Sequence, residues 1–383
     1  MQVVWAEQAL TADGWRNGVR VAIGGDGRIV EVAADTKPEG VRAGVLLPAP
    51  VNLHSHAFQR AMAGMTEARG PDPQDSFWTW RKLMYRFLEQ LTPDDVEAIA
   101  AFVQMEMLEA GYAAVGEFHY LHHGPDGTPY DDVAELSARI AAAASQTGIG
   151  LTLLPVLYEH GGCDGRALGP GQVRFGNDPD VFHRLFDRAT TACAALPDDV
   201  RIGVAPHSLR AVSREGLKFA VELAPGAPVH MHIAEQTAEV GEVEAAWGAR
   251  PVDWVLTNHD VDERWCLIHA TQTIPRETGM LARSGAVAGL CPITESSLGD
   301  GIFDGVRYLE HGGRFGLGSD SNIRISLAEE LRTLEYSQRL RDRGRAVLAT
   351  PDASTGRVLF EGAAKGGAQA AGRDCGAIAP GRL

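Results

Sequence analysis

The stretch VNLHSHAFQR, Val51 to Arg60, runs from apolar residues into two histidines one residue apart. Positions i and i+2 of a strand face the same way, so His54 and His56 project together, as two imidazoles must to share one metal ion. Alone, the pair also reads as a turn carrying two solvated histidines. Whether other apolar runs end in the same way decides between the two.

They do. Eight short runs rich in Val, Ile and Leu follow one another: GVLLPAPVNLHSH, YAAVGEFHY, IGLTLLPVLYEH, RIGVAPHSL, PVHMHIAE, RWCLIHAT, AVAGLCPIT and RFGLGSDS. Each leads into a loop and mostly into a helical pattern such as DDVAELSARIAAAASQTG. That alternation predicts an α/β chain with a parallel sheet, and the count is that of a (β/α)8 barrel. Nearly every run ends in an ionisable side chain: His54 and His56, His119, His160, His207, His232, His269 and Asp320. In such a barrel the C-terminal rim is where catalytic groups sit. Residues 1–48 read differently, as short strands with a Gly-Gly-Asp-Gly hairpin signal, and predict a small β-rich domain. The barrel is expected over 49–370, with 371–383 returning toward the small domain.

Bulk properties narrow the function. The 383 residues carry a formal net charge of −15, which argues against nucleic acid or an anionic membrane as partner. The same charge repels anionic ligands, so an anionic substrate needs dedicated arginines. Five cysteines are scattered without a Cys-x-x-Cys pair, which suits reduced thiols in the cytoplasm. The N-terminus lacks the charged and apolar regions of a signal peptide, and no run approaches ~20 apolar residues. There is no phosphate-binding loop. GPGQVRFGND, 169–178, reads as a long rim loop, and RLRDRGR, 339–345, as a solvated helix end.

Four residues form a metal-ligand set. His54 and His56 supply two nitrogens from the first strand, VHMHIAE offers His230 and His232 from the fifth, and Asp320 ends the eighth. His54, His56, His232 and Asp320 leave room for a water whose pKa falls toward ~7. A binuclear hydrolase of this architecture bridges its metals with a carboxylated lysine. The four lysines here (Lys37, Lys82, Lys218, Lys365) end no predicted strand, so one divalent ion is expected. Zinc suits the donors best, with Fe2+ or Mn2+ as alternatives.

The pattern His-x-His, His-x-x-Glu, a sixth-strand His and Ser-Asp resembles the amidohydrolase superfamily in its mononuclear deaminase branch. Within that branch NLHSHAFQRAMAGMTE, SFWTWRKLMY, AVGEFHYLHH, APHSLRAV, HMHIAEQ and TESSLGDG resemble the formimidoylglutamate deiminase family, from about residue 49 to the end. The resemblance implies hydrolysis of N-formimidoyl-L-glutamate to N-formyl-L-glutamate and ammonia, in histidine degradation. It implies that Asp320 accepts the proton of the attacking water, that His269 orients that water, and that Glu235 holds the amidinium and protonates the leaving nitrogen. Two substrate carboxylates call for guanidinium groups, for which Arg81 and Arg210 are placed, with Gln59, Tyr120 and His207 as further donors. Trp78 and Trp80 are expected to pack the first long loop without touching substrate. Relatives imply a homodimer, and further strands beyond Leu383 that complete the small domain. The rival readings are a deaminase or chlorohydrolase of a purine, pyrimidine or triazine ring, which lacks need of two arginines, and a non-catalytic barrel, which predicts broken ligands.

Overall fold

The computed structural model describes residues 1–68 and 76–383. Four strands, β1 (Gln2–Thr11), β2 (Gly14–Ile23), β3 (Ile29–Ala33) and β4 (Val41–Leu46), form a small sheet in the order β3-β2-β1-β4. Its core is Ala6, Ala9, Val19, Val21 and Ile29, joined by Ile378 from the far end of the chain. The segment after residue 370 is stitched there by the bonds Ala12 N–H to Ile378 O and Ile29 N–H to Arg382 O.

The run GVLLPAPVNLHSH is two strands, not one. Its first part belongs to β4, which pairs with β1 in the small sheet, and its second is β5 (Val51–Ser55) of the barrel. Pro48 and Pro50 explain the break, since neither has an N–H to continue a ladder.

The barrel strands follow in parallel. They are β5, β6 (Ala114–His119), β7 (Gly150–Leu157), a fourth in two pieces β8 (Arg201–Ile202) and β9 (Ala205–Pro206), β10 (Val229–Ile233), β11 (Trp265–His269), β12 (Val287–Leu290) and β13 (Arg314–Leu317). The sheet runs from β10 through β13 to β5 and on to β8. Its ends meet through the Val204–Val229 bridge and the bond from His232 N–H to His207 O. The helices are α1 (Phe77–Leu88), α2 (Pro93–Glu109), α3 (Glu135–Thr147), α4 (Pro179–Cys193), α5 (Arg214–Leu223), α6 (Thr237–Trp247), α7 (Pro251–Asn258), α8 (Pro275–Arg283), α9 (Pro292–Leu298), α10 (Gly305–Glu310), α11 (Leu327–Asp342) and α12 (Thr355–Ala370).

Strand residues facing the helices, such as Val115, Leu153, Met231 and Leu267, join one large core. Inward residues Leu53, Cys266, Ile268 and Val287 fill the barrel, closed from below by Ala370 of α12. Gly366 lets α12 lie directly on the Phe315 carbonyl, where any side chain would collide. No helix among the described residues is long and apolar enough to cross a membrane.

This packing buries histidines in the neutral form. Burial, helped by the nearby His56, pushes His119 down to about 3, and burial pushes His230 down to about 4 against its bond to Ala370 O. In the unfolded chain each takes a proton near pH 6.5, so between there and pH 4 the unfolded state binds more protons. Stability is therefore full above pH 6.5 and is lost as pH falls, by up to about 1.4 kcal/mol per pH unit for each histidine. Thermal melts are expected to show a falling Tm from pH 7 to pH 5, with a shallower slope for His119→Asn. An unchanged slope in that variant would remove His119 from this account.

Candidate active site

The histidine pair of β5 is aimed by a β-bulge. Between Asn52 and Ser55 the register with β6 shifts by one residue, and an extra residue of this kind re-aims the side chains beyond it. β5 ends at Ser55, so His56 lies just past the strand rather than within it. Its main chain is held by N–H to Asp320 O at 3.0 Å, and Asp320 N–H returns to His54 O at 3.0 Å. Asn52 and Ser319 bond reciprocally, and Asn322 reaches both Ser55 Oγ and His56 O. These bonds lock the ends of β5 and β13 together and set His54, His56 and Asp320 side by side.

His232 completes the group from β10. Its Nε2 lies 3.1 Å from His54 Nε2 and 3.3 Å from His56 Nε2, while Asp320 Oδ1 is 3.3 and 3.2 Å from the same two imidazoles. His56 Nδ1–H donates to Phe118 O and His232 Nδ1–H to His207 O, which leaves both Nε2 lone pairs directed at one point. Bare lone pairs at this separation repel unless a cation lies between them. Tetrahedral ligands ~2.0–2.1 Å from a zinc-sized ion lie roughly 3.3–3.4 Å apart, close to the spacing found. The donors therefore fit a single divalent metal, and all four are buried. His230 does not join them; it lies one layer deeper, with Nε2 2.7 Å from Ala370 O.

Glu235 and His269 stand beside this group. Along β11 the inward residues are Cys266 and Ile268, so alternation alone would turn His269 toward the helices. A left-handed backbone, φ 70°, turns it inward, and Asp320 (φ 46°) and Ala234 (φ 49°), the residue before Glu235, share that conformation. Such backbone costs non-glycine residues on the order of 1–3 kcal/mol and clusters at functional sites. His269 Nε2 is 3.8 Å from Glu235 Oε1, and Nδ1 is 3.3 Å from Glu295 Oε1, which also accepts Cys291 N–H. Burial works against the His269 charge, but Glu235, Glu295 and Asp320 hold its pKa up at about 10. Burial raises the Glu235 carboxyl above the usual range, against the pull of His269 and Arg210.

Substrate-side candidates converge on the same cavity. Gln59, Arg81, Tyr120, His207 and Arg210 line it together with His56, His232, Glu235, His269 and Asp320. Arg210 is buried, its Nε making no hydrogen bond and standing 3.9 Å from Glu239 Oε1. Burial and the two arginines push His207 well below the usual histidine range, so it stands neutral with Nδ1 on Ser208 Oγ. Gln59 Nε2 donates to Tyr120 Oη at 2.8 Å. Among the described residues the space between these groups is about 60 Å³. A larger hollow of about 830 Å³ lies between the small sheet and the bottom of the barrel and contains none of these groups.

Some expectations do not survive. His119 points away from the site toward His122, because Phe118 takes the inward position on β6. His160 lies past the rim with N–H on Ala211 O, and Tyr158, two residues earlier, lines the cavity instead. Trp80 lines the cavity, contrary to a purely packing role, whereas Trp78 lies under the guanidinium groups of both Arg81 and Arg210 at 5.8 and 5.9 Å. Of the rim after β12, Leu298 reaches the cavity, and Ile293, Ser296 and Ser297 do not line it. The segment 169–178 is an ordered brace: Arg174 donates to the carbonyls of Leu88 and Leu91 at the end of α1, and Gln172 to Tyr158 Oη. Glu295 and Tyr158 escaped the sequence reading. Tyr158 lies two residues before the His160 that ends the predicted run, so the strand-end rule passes over it; Glu295 carried no comparable signal.

A curled parallel α/β sheet with a buried three-histidine, one-aspartate group on its C-terminal rim defines a class. Residues 45–383 match the model of the Amidohydrolase family, and the chain belongs to that family of hydrolases. Residues 1–41 match the model described as Formimidoylglutamate deiminase HutF, N-terminal domain. The formimidoylglutamate deiminase of Pseudomonas aeruginosa is 50% identical over 388 residues, covering 100% of this chain and 84% of that protein. A 5-methylthioadenosine/S-adenosylhomocysteine deaminase of Natronomonas pharaonis is 26% identical, over 92% of this chain and 74% of its own. The crystal structure of an amidohydrolase from Brucella melitensis superposes with a TM-score of 0.96 at 49% identity, covering 100% of this chain and 85% of that one.

Proposed function

We propose that this chain hydrolyses N-formimidoyl-L-glutamate to N-formyl-L-glutamate and ammonia, a step of histidine degradation. The observation that carries the reading is the meeting of two arginines, Arg81 and Arg210, with the histidine–aspartate group in one cavity of an acidic protein. The 50% identity to a formimidoylglutamate deiminase supports the same substrate. Phe77, Trp80 and Tyr120 give the cavity aromatic walls that alone would suit a ring substrate. Two guanidinium groups suit a dicarboxylate instead.

A divalent ion held by His54, His56, His232 and Asp320, for which zinc is the best match to three imidazoles and a carboxylate, supplies Lewis acidity and lowers the pKa of water toward ~7. The chain's own residues do the rest. Arg81 and Arg210 clamp the two carboxylates, and the neutral donors Gln59, Tyr120 and His207 fix the backbone of the substrate between them. His269, oriented through Nδ1 by Glu295, directs the attacking water. Asp320 takes the proton that this water gives up as its oxygen bonds to the amidine carbon. Glu235 faces the amidinium and passes a proton to the departing nitrogen, which leaves as ammonia while the new hydroxyl returns its proton to the Glu235 carboxylate and becomes the formyl oxygen.

The test is ammonia release from N-formimidoyl-L-glutamate beside guanine, cytosine and an adenosine-type substrate, with metal content measured on the same sample. Turnover of the linear amidine alone supports the reading, and turnover of rings alone overturns it. Arg210→Met is expected to raise KM about a hundredfold or more, since it removes a buried charge-assisted contact with a carboxylate. An unchanged KM in steady-state kinetics would take Arg210 out of the substrate clamp.

A further inference from the structure

We propose that Tyr158 binds substrate directly, its phenol donating a hydrogen bond to the carboxylate that Arg81 holds. The inference rests on the deimination reading and names a contact within that site. Tyr158 directly follows β7 and is 2% exposed. Its backbone is doubly fixed: its N–H donates to Asn177 Oδ1 and its carbonyl accepts Asn177 N–H, both at 3.0 Å. Its ring lies 4.6 Å from that of His207 and 5.6 Å from that of Phe175. The side chain therefore has little freedom to turn.

The hydroxyl is where the argument lies. A phenol oxygen has two lone pairs and one hydrogen. Both lone pairs of Tyr158 Oη are taken, by Arg81 Nη2 at 3.2 Å and by Gln172 Nε2 at 2.8 Å. The amide of Gln172 cannot be reversed, because its Oε1 accepts Gly169 N–H at 2.9 Å. The hydroxyl hydrogen is thus left to donate, and among the described residues no oxygen or nitrogen accepts it. Tyr158 lines the cavity beside Arg81 and Arg210. A donor with its orientation dictated, facing a cavity with two guanidinium groups, is built for an oxyanion. A buried donor left unpaired is costly, and a carboxylate oxygen resolves that cost.

Tyr158→Phe keeps the ring and removes only the hydroxyl. The variant and the wild type are compared with N-formimidoyl-L-glutamate and its two mono-amides, in which one carboxylate or the other is neutral. KM for the dicarboxylate is expected to rise about tenfold or more with kcat within about threefold. With one mono-amide the effect shrinks below about threefold, which identifies the carboxylate concerned, and in an Arg81→Met background it persists on the dicarboxylate. An unchanged KM overturns the proposal. So does an equal rise with all three compounds, and so does disappearance of the effect without Arg81, which would make Tyr158 a brace for that arginine. Wild-type protein inactive on all three compounds would overturn the deimination reading itself, and with it the contact, before the variant is compared.

Discussion

Glu235→Gln is expected to lower kcat by about 10²–10⁴-fold, the span of general acid–base catalysis. The substitution preserves shape and hydrogen-bonding capacity but removes the proton carrier. Glu235 is positioned by its N–H on Glu239 Oε2 and by the turn at Ala234, neither of which depends on its own carboxyl. It is not one of the four clustered donors, so metal content should match the wild type. The arginines are untouched, so KM should stay within about threefold. Burial already holds this carboxyl above the ordinary range, the direction that suits a group asked to give up a proton near neutral pH. Ammonia-release kinetics with metal analysis check both halves. A wild-type kcat would move the proton-transfer role elsewhere, and loss of metal would mean that the effect is structural.

The second large effect concerns the ion. Stripping the protein with a chelator is expected to reduce turnover below roughly a thousandth, because water then reverts to its own acidity. Activity should return on adding back a divalent ion. Thermal stability should fall in parallel, since a ligand bound only by the folded chain at 1,000 times its Kd contributes about 4 kcal/mol. The geometry gives the reason: His232 Nε2 lies 3.1 Å from that of His54 and 3.3 Å from that of His56, and the bare His56 and His232 lone pairs are reconciled by a cation between them. His232→Ala should resemble the stripped protein but resist rescue. A stripped protein with full activity would show that these donors are not a metal centre on which turnover depends.

How much of this could be read beforehand varies from strand to strand. The eight barrel runs were legible because strands buried on both faces read as continuous apolar stretches, and because polar residues collect at one end of them. His54, His56, His232 and Asp320 were found by that rule, and the structure brings all four together. The rule fails where it must choose between neighbours. At the end of β6 it selects His119 over Tyr120, and past β7 it selects His160 over Tyr158, because the last inward position depends on where the strand ends. Alternation would have discarded His269, which a positive φ restores. Sequence offers no sign of the bulge in β5 either, since it becomes visible only against β6. Arg81 and Arg210 were placed by the demands of a dianion, and their shared contact with Trp78 is tertiary information.

The cavity beneath α1 has a consequence for traffic. Arg174 ties the carbonyls of Leu88 and Leu91 to the barrel, while Phe77, Trp80 and Arg81 at the other end of the helix cover the site. The room left is about 60 Å³, against ~300–1,000 Å³ for ordinary ligand clefts. That room takes ammonia or water as it stands, whereas a glutamate derivative needs the side chains over the site to shift. The two products then ask different things of the fold: ammonia fits the room present, whereas the acylated amino acid needs Phe77, Trp80 and Arg81 to give way. Passage of the larger product is thereby tied to the packing of α1 over the site.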